Sequence, residues 1–171
     1  DFTARLNMNL REDKHWSYGA RSGAGGAVGQ RMWTAQAPVQ IDKTGESVAE
    51  MQREISDYAS GKRPASAEEV AGMKKVMTLT LPGAYETAAA VMNTIASNAL
   101  YGRPDDYVFK RSAEIEAMTP AQVNAAAKAL NPNALTWVIV GDVTKTQGPV
   151  SGLKLGELTV IDADGKPVVK K

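Results

Sequence analysis

The chain has 171 residues, 43% of them hydrophobic and 23% charged, with a formal net charge of +1. These values describe an ordinary folded domain large enough to bury a core, and the mixed signs leave no electrostatic footprint for nucleic acid. Cysteine is absent, which excludes disulfides, thiolate nucleophiles and Cys-ligated metals, and no apolar run is long enough for a membrane span.

Phe2, Leu6 and Leu10 recur every four residues, the spacing of one helical stripe. Arg11 falls about 100° round from Leu10, so it is predicted to point away from the core. The helix is predicted to stop near Lys14-His15, because Trp16-Ser17-Tyr18-Gly19-Ala20 alternates with the period of a strand. Tyr18 then lies seven positions after Arg11, across a helix-to-strand corner. A phenol and a guanidinium both donate hydrogen bonds to carbonyl oxygens, a combination suited to a peptide backbone.

The stretch Ser22 to Gly29 holds four glycines. It breaks the G-x-G-x-x-G spacing and no Gly-Lys-Ser/Thr follows, so it reads as a flexible hairpin turn rather than a phosphate cradle. A strand over Gln30 to Val39 is expected to pair antiparallel with the one at Trp16 to Ala20.

Helices follow. Thr44 is the predicted N-cap of a helix whose face carries Val48, Met51, Ile55 and Tyr58, with Gly61 as its stop. Ser66-Ala67-Glu68-Glu69 is a capping box, opening a face of Val70, Met73 and Met77 that Pro82-Gly83 ends or kinks. Ala84, Ala88, Val91, Met92, Ile95 and Ala99 form a stripe suited to close packing, with the methionines as core filler. Tyr101 to Asp106 closes that helix and is expected to cap the next. Thr119-Pro120-Ala121-Gln122 restates a helix start, with Val123, Ala126, Ala127 and Leu130 on its buried side. Leu135 to Val140 reads as a strand covered on both faces. From Thr144 the composition turns to Gly, Pro, Lys and Asp. Here the expectation is a surface extension with a small hairpin, Leu158 to Ile161 against Pro167 to Val169 about Asp164-Gly165, ending in solvated Lys170-Lys171.

These residues carry no complete chemistry of their own. The inverted zinc motif H-x-x-E-H is absent, and one histidine without cysteine does not make a usual zinc site. His15 reads as a surface or packing residue, and Glu12-Asp13 and Asp105-Asp106 as helix-end and capping residues. On composition and spacing alone, Arg11 pairs with Glu12 or another surface carboxylate, and Tyr18 packs on Trp16 or Ala20 with its hydroxyl in water.

Arg5-Leu6, Leu10-Arg11-Glu12-Asp13-Lys14 and Tyr18-Gly19 resemble the "SRL…LRE.KG..Y" signature of the pitrilysin/insulinase-type zinc metallopeptidases and their mitochondrial processing peptidase relatives. More specifically they are similar to the second, C-terminal, non-zinc-binding domain. A second block agrees: Tyr101-Gly102-Arg103-Pro104-Asp105-Asp106-Tyr107, Ile115-Glu116-Ala117-Met118-Thr119-Pro120 and Val138-Ile139-Val140-Gly141-Asp142 follow one another in the family's order. His15-Trp16 is a departure, standing where many members have glycine and a hydrophobic residue.

The resemblance implies an α+β fold: a two-layer sandwich with a mainly antiparallel sheet covered on one face by helices, here as a partial domain. Residues 1–142 would be that inactive-type domain without its first strands, and 143–171 a C-terminal extension. Arg11 and Tyr18 would be the family's arginine–tyrosine pair, which binds the substrate backbone and assists the transition state. This chain would hold no cofactor, and zinc would sit in a partner domain or subunit of the same family. The implied function is the substrate-binding half of a zinc metallopeptidase, acting on peptides and inactive alone. The alternatives are an inert structural homologue or a peptide-binding module within a larger complex. The compartment is not fixed by the sequence, with the bacterial periplasm or cell envelope favoured over the cytoplasm.

Overall fold

The structure, a computed structural model, describes residues 2–168. Val169 of the expected hairpin and the expected solvated pair Lys170-Lys171 lie outside the described residues. The chain divides into two compact units, Asp1–Ser56 with Pro132–Lys171, and Asp57–Asn131. The architecture is helix-rich α+β, with one two-stranded antiparallel sheet among the described residues.

The first unit opens with a short helix α1 (Arg5–Asn7) that widens at once into a π-helical stretch, Met8–Asp13. Leu6 and Leu10 are buried, Leu10 completely, and they meet Ala20 and Met51 in a core to which Trp16, Ala35, Ala37 and Trp137 add partly buried faces. Phe2 departs from the predicted stripe and is exposed.

Strand β1 (Arg21–Ala24) pairs antiparallel with β2 (Trp33–Gln36), setting Arg21 opposite Gln36 and Ala24 opposite Trp33. The ladder therefore begins beyond the predicted strand at Trp16 to Ala20 and takes in part of the glycine-rich stretch. Trp16 to Ala20 keeps a single bridge, Ser17 to Val39, because local polar groups compete for its backbone. The Ser17 hydroxyl lies 2.7 Å from the Pro38 carbonyl oxygen and accepts from the Gly19 N–H at 3.1 Å. Pro38 has no N–H to give a ladder.

A 3-10 turn, Ile41–Lys43, leads into α2 (Thr44–Ala59). Thr44 does not act as the predicted N-cap. Its hydroxyl donates to the Ile41 carbonyl at 2.9 Å, because the 3-10 turn has already begun the helical winding. Val48, Met51 and Ile55 are buried as their spacing requires, and Gly61, at φ 77°, occupies the left-handed stop.

The apolar run Leu135 to Val140 forms no ladder among the described residues. Leu135, Trp137 and Ile139 are half-buried, whereas Val138 and Val140 are 79% and 94% exposed. The expected strand covered on both faces is thus an extended segment covered on one. Helix α8 (Val143–Ser151) was not expected, since Gly148-Pro149 reads as a breaker. Asp142 starts it, accepting from the Thr144 N–H at 2.9 Å, and hydrogen bonds from the Thr144 hydroxyl and N–H hold this carboxyl below its usual range. Packing also fixes it: α8 lies against the 3-10 turn, and a Cβ on Gly45 would stand 2.8 Å from Cβ of Pro149. Further on, Val168 N–H donates to the Val160 carbonyl at 2.8 Å about a turn with Gly165 at φ 79°.

The second unit contains α3 (Ala67–Leu79), α4 (Leu81–Ala84), α5 (Ala88–Leu100), α6 (Tyr107–Ala117) and α7 (Pro120–Ala127). Both predicted capping boxes form, Ser66 with Glu69 and Thr119 with Gln122. Helix α3 packs on α6 and α7, burying Val70, Ile115 and Ala127. Two predicted features fail here. Asp106 does not cap α6 with its side chain, which pairs with Lys110 at 2.9 Å. The stripe on α5 is not core, as Val91, Met92 and Ile95 are exposed together with Met73 and Met77 of α3. Periodicity locates an apolar face without supplying the element that covers it.

Asn124 joins the start of α3 to α7 by accepting from the Ala65 N–H at 2.7 Å and donating to the Ala65 carbonyl at 3.0 Å. Replacing it leaves both partly buried backbone groups unsatisfied. Asn124→Ala is expected to lower stability by about 1–3 kcal/mol, measured by urea unfolding.

Candidate functional site

The site grows out of the corner after the π-helical stretch. Lys14 N–H reaches back five residues to the Asn9 carbonyl at 3.1 Å, and the Leu10 carbonyl accepts from both Trp16 (2.9 Å) and Ser17 (3.1 Å). Such winding is a widened helix end closed by a left-handed residue, a position usually given to glycine. His15 occupies it at φ 57°, and its Nδ1 lies 3.0 Å from the Arg11 carbonyl oxygen. The histidine is thus a backbone cap at the surface.

The corner brings Arg11 and Tyr18 together. The Arg11 guanidinium lies over the Tyr18 ring at 5.7 Å and over the Phe2 ring at 4.9 Å, while its Nε pairs with Glu12 at 3.4 Å. Tyr18 is 90% exposed, and its hydroxyl has no hydrogen-bond partner among the described residues. Both side chains line an open cleft of about 420 Å³, walled by Phe2, Asn7, Arg21, Gln36 and Pro38. Tyr18 does not pack on Trp16 or Ala20 in the manner of a strand aromatic. The expected pairing of Arg11 with Glu12 is present, through Nε.

Sequence reading passed over Asn7. It is buried, donates to the Phe2 carbonyl at 2.8 Å and accepts from the Ala20 N–H at 3.2 Å, tying the two limbs of the corner to each other. The available signal was an amide beside an apolar helical stripe, which must find partners once buried. Asn9 does similar work toward α2, donating to Glu50 at 2.7 Å and to Glu54 at 2.9 Å. Burial raises the Glu50 pKa, but hydrogen bonds from Arg53 and Asn9 and the charges of Arg53 and Lys14 outweigh it, holding the carboxyl below its ordinary value.

Among the described residues no three His, Asp or Glu side chains gather as a metal site, and no helix is long and apolar enough to cross a membrane.

No family model matches the sequence, and no curated protein matches it. Among solved structures, the chain is similar to a peptidase M16 inactive domain from Pseudomonas fluorescens, with a TM-score of 0.68 and 19% identity. The two share a fold. The match covers 77% of this chain and 31% of that one, so the chain spans under a third of the structure it resembles. The inactive-type peptidase fold expected from the sequence is therefore the fold observed, over part of a domain.

Two outcomes check the corner. His15→Val places a β-branched residue at a left-handed φ and is expected to destabilise by about 1–2 kcal/mol in thermal or urea unfolding. The folded-state pKa of Glu50 lies below its ordinary value of 4.5, so its contribution is present above that pH and is lost as pH falls through the folded pKa. Glu50→Gln should therefore be less stable than the wild type at neutral pH. The gap should close as the pH is lowered below about 4.5, as urea midpoints measured along a pH series will show.

Proposed function

We propose that this chain is the substrate-binding half of an inverted-motif zinc metallopeptidase, holding the peptide backbone opposite a zinc site supplied by another domain or subunit. The observation that carries the reading is the placement of the Arg11 guanidinium over the exposed Tyr18 ring at the mouth of one cleft. The paired sequence blocks and the fold shared with an inactive peptidase domain support it.

The chain's own residues do not fit zinc. Its single histidine, His15, faces the Arg11 carbonyl, and it has no cysteine. The work left to these residues is positioning and hydrogen bonding. Arg11 binds a backbone carbonyl of the peptide, and Phe2 and Tyr18 hold the plane of its guanidinium. Tyr18 donates its hydroxyl to the carbonyl oxygen under attack, where the bond strengthens as negative charge develops. An exposed hydroxyl with no competing partner suits that task, since nothing must be broken to release it.

A second reading, an inert structural homologue or peptide-binding module, is favoured by the Glu12 contact, which already engages the Arg11 side chain. Reconstitution with a zinc-bearing partner half separates the two. Tyr18→Phe is expected to lower kcat about 100-fold or more on an unfolded peptide. Arg11→Ala is expected to raise KM and lower kcat. Neither should move the melting temperature, because Tyr18 is exposed and the Arg11 to Glu12 pair is a surface contact. Unchanged turnover in both variants assigns the chain to the inert reading.

A further inference from the structure

We propose that the second unit carries a separate anion site, a cleft between α4, α5 and α6 in which Arg103 and Arg111 bind a carboxylate borne by an apolar peptide segment. The cleft has a volume of about 410 Å³ and is lined by both arginines and by no Asp or Glu.

Arg103 is held in an unusual way. Its guanidinium carbon lies 4.4 Å from the centroid of the Tyr101 ring and 4.4 Å from that of Tyr107, so the group lies over two phenol rings. The backbone fixes the arrangement: Arg103 N–H donates to the Asn98 carbonyl at 2.8 Å, Tyr107 N–H donates to the Pro104 carbonyl at 3.0 Å, and Gly102 takes the left-handed turn at φ 60°. Contact with an aromatic face leaves the in-plane N–H donors of a guanidinium free. Among the described residues no acceptor takes them, although Arg103 is half-buried.

Arg111 follows Tyr107 by one turn of α6 and lines the same cleft, with no carboxylate paired to it among the described residues. The neighbouring Asp106 carboxylate is already engaged by Lys110. Two cations line one concavity, one of them half-buried and neither paired with a carboxylate among the described residues. Planar guanidinium forks with open donors favour a carboxylate as the ligand.

The rest of the lining narrows the ligand class. Met77, Leu81, Val108 and Ile115 add apolar side chains, and Asn93 an amide, to the same cleft. A free phosphate would satisfy the arginines but not this lining, whereas a peptide residue with an apolar side chain satisfies both. The C-terminal residue of a peptide is the closest fit, since it carries carboxylate and side chain on the same carbon. This site shares no residue with the Arg11 and Tyr18 cleft and holds whichever reading of that pair is correct.

The test uses the 171-residue chain and a fluorescently labelled short peptide ending in leucine, in three forms: free acid, C-terminal amide, and amide with an internal glutamate. By anisotropy the free acid should bind about tenfold or more tightly than the plain amide, the value of one charge-assisted contact. Arg111→Gln should bring the acid down to the amide, with the far-ultraviolet spectrum and melting temperature unchanged, because Arg111 is exposed. Arg103→Lys, which keeps the charge but loses the fork, should weaken the acid as well. An internal-glutamate peptide that binds as tightly and depends on Arg111 supports the carboxylate site and makes the side chain its source. Equal binding of acid and plain amide, no binding up to about 1 mM, or affinity indifferent to Arg111→Gln would overturn the proposal. So would better competition by inorganic phosphate than by acetate.

Discussion

Everything proposed for Arg11 and Tyr18 depends on one backbone constraint, the widened helix end that turns left-handed at His15. A regular α-helical end would give the Leu10 carbonyl a single partner. The π-helical winding lets it accept from both Trp16 and Ser17, so the chain reverses while its first extended residues stay fastened to the helix. Asn7 closes the same corner from the other side, spanning the Phe2 carbonyl and the Ala20 N–H. Each such buried polar group costs about 1–3 kcal/mol when left unsatisfied, a large fraction of a domain's net stability. The relative position of the guanidinium and the phenol therefore follows from the core and is not a free choice of two surface side chains.

Local chemistry was the most legible part of this fold. Ser66 with Glu69 and Thr119 with Gln122 read as capping boxes and form them, because every group involved lies within four consecutive residues. Gly61 stops α2 for the same kind of reason, a backbone angle that other residues resist. The convergence of Arg11 and Tyr18 could also be anticipated, since a helix-to-strand corner joins them over a short span. The winding of the helix was not legible. A four-residue recurrence of Phe2, Leu6 and Leu10 suggests three buried positions, whereas the structure buries two and lifts Phe2 onto the face of Arg11.

What escaped the sequence was decided at a distance. Helix α8 survives Gly148 and Pro149 because Asp142 caps it and Gly45 lets the proline approach, facts that no window around residue 148 contains. The run Leu135 to Val140 has the composition of a doubly covered strand, yet Val138 and Val140 face outward. In the same way α5 exposes Val91, Met92 and Ile95. A pattern of apolar residues states which positions favour leaving water, and only a second layer of structure determines whether they do.

The two arginines singled out in this molecule share a physical device. Arg11 lies over the rings of Phe2 and Tyr18, and Arg103 over those of Tyr101 and Tyr107. An ion pair would orient a guanidinium by occupying the donors that a ligand needs. An aromatic face orients it through the ring's negative quadrupole, for roughly 0.5–1 kcal/mol at an exposed site, and leaves the donor edge open. The difference between the two sites lies in what remains. Arg11 still touches Glu12 through Nε, a contact that does not use its terminal nitrogens. Arg103 has no such partner among the described residues and shares its cleft with a second cation. In the roles proposed for them, Arg103 and Arg111 would take up an anion, whereas Arg11, already touched by Glu12, would meet the uncharged backbone of a peptide.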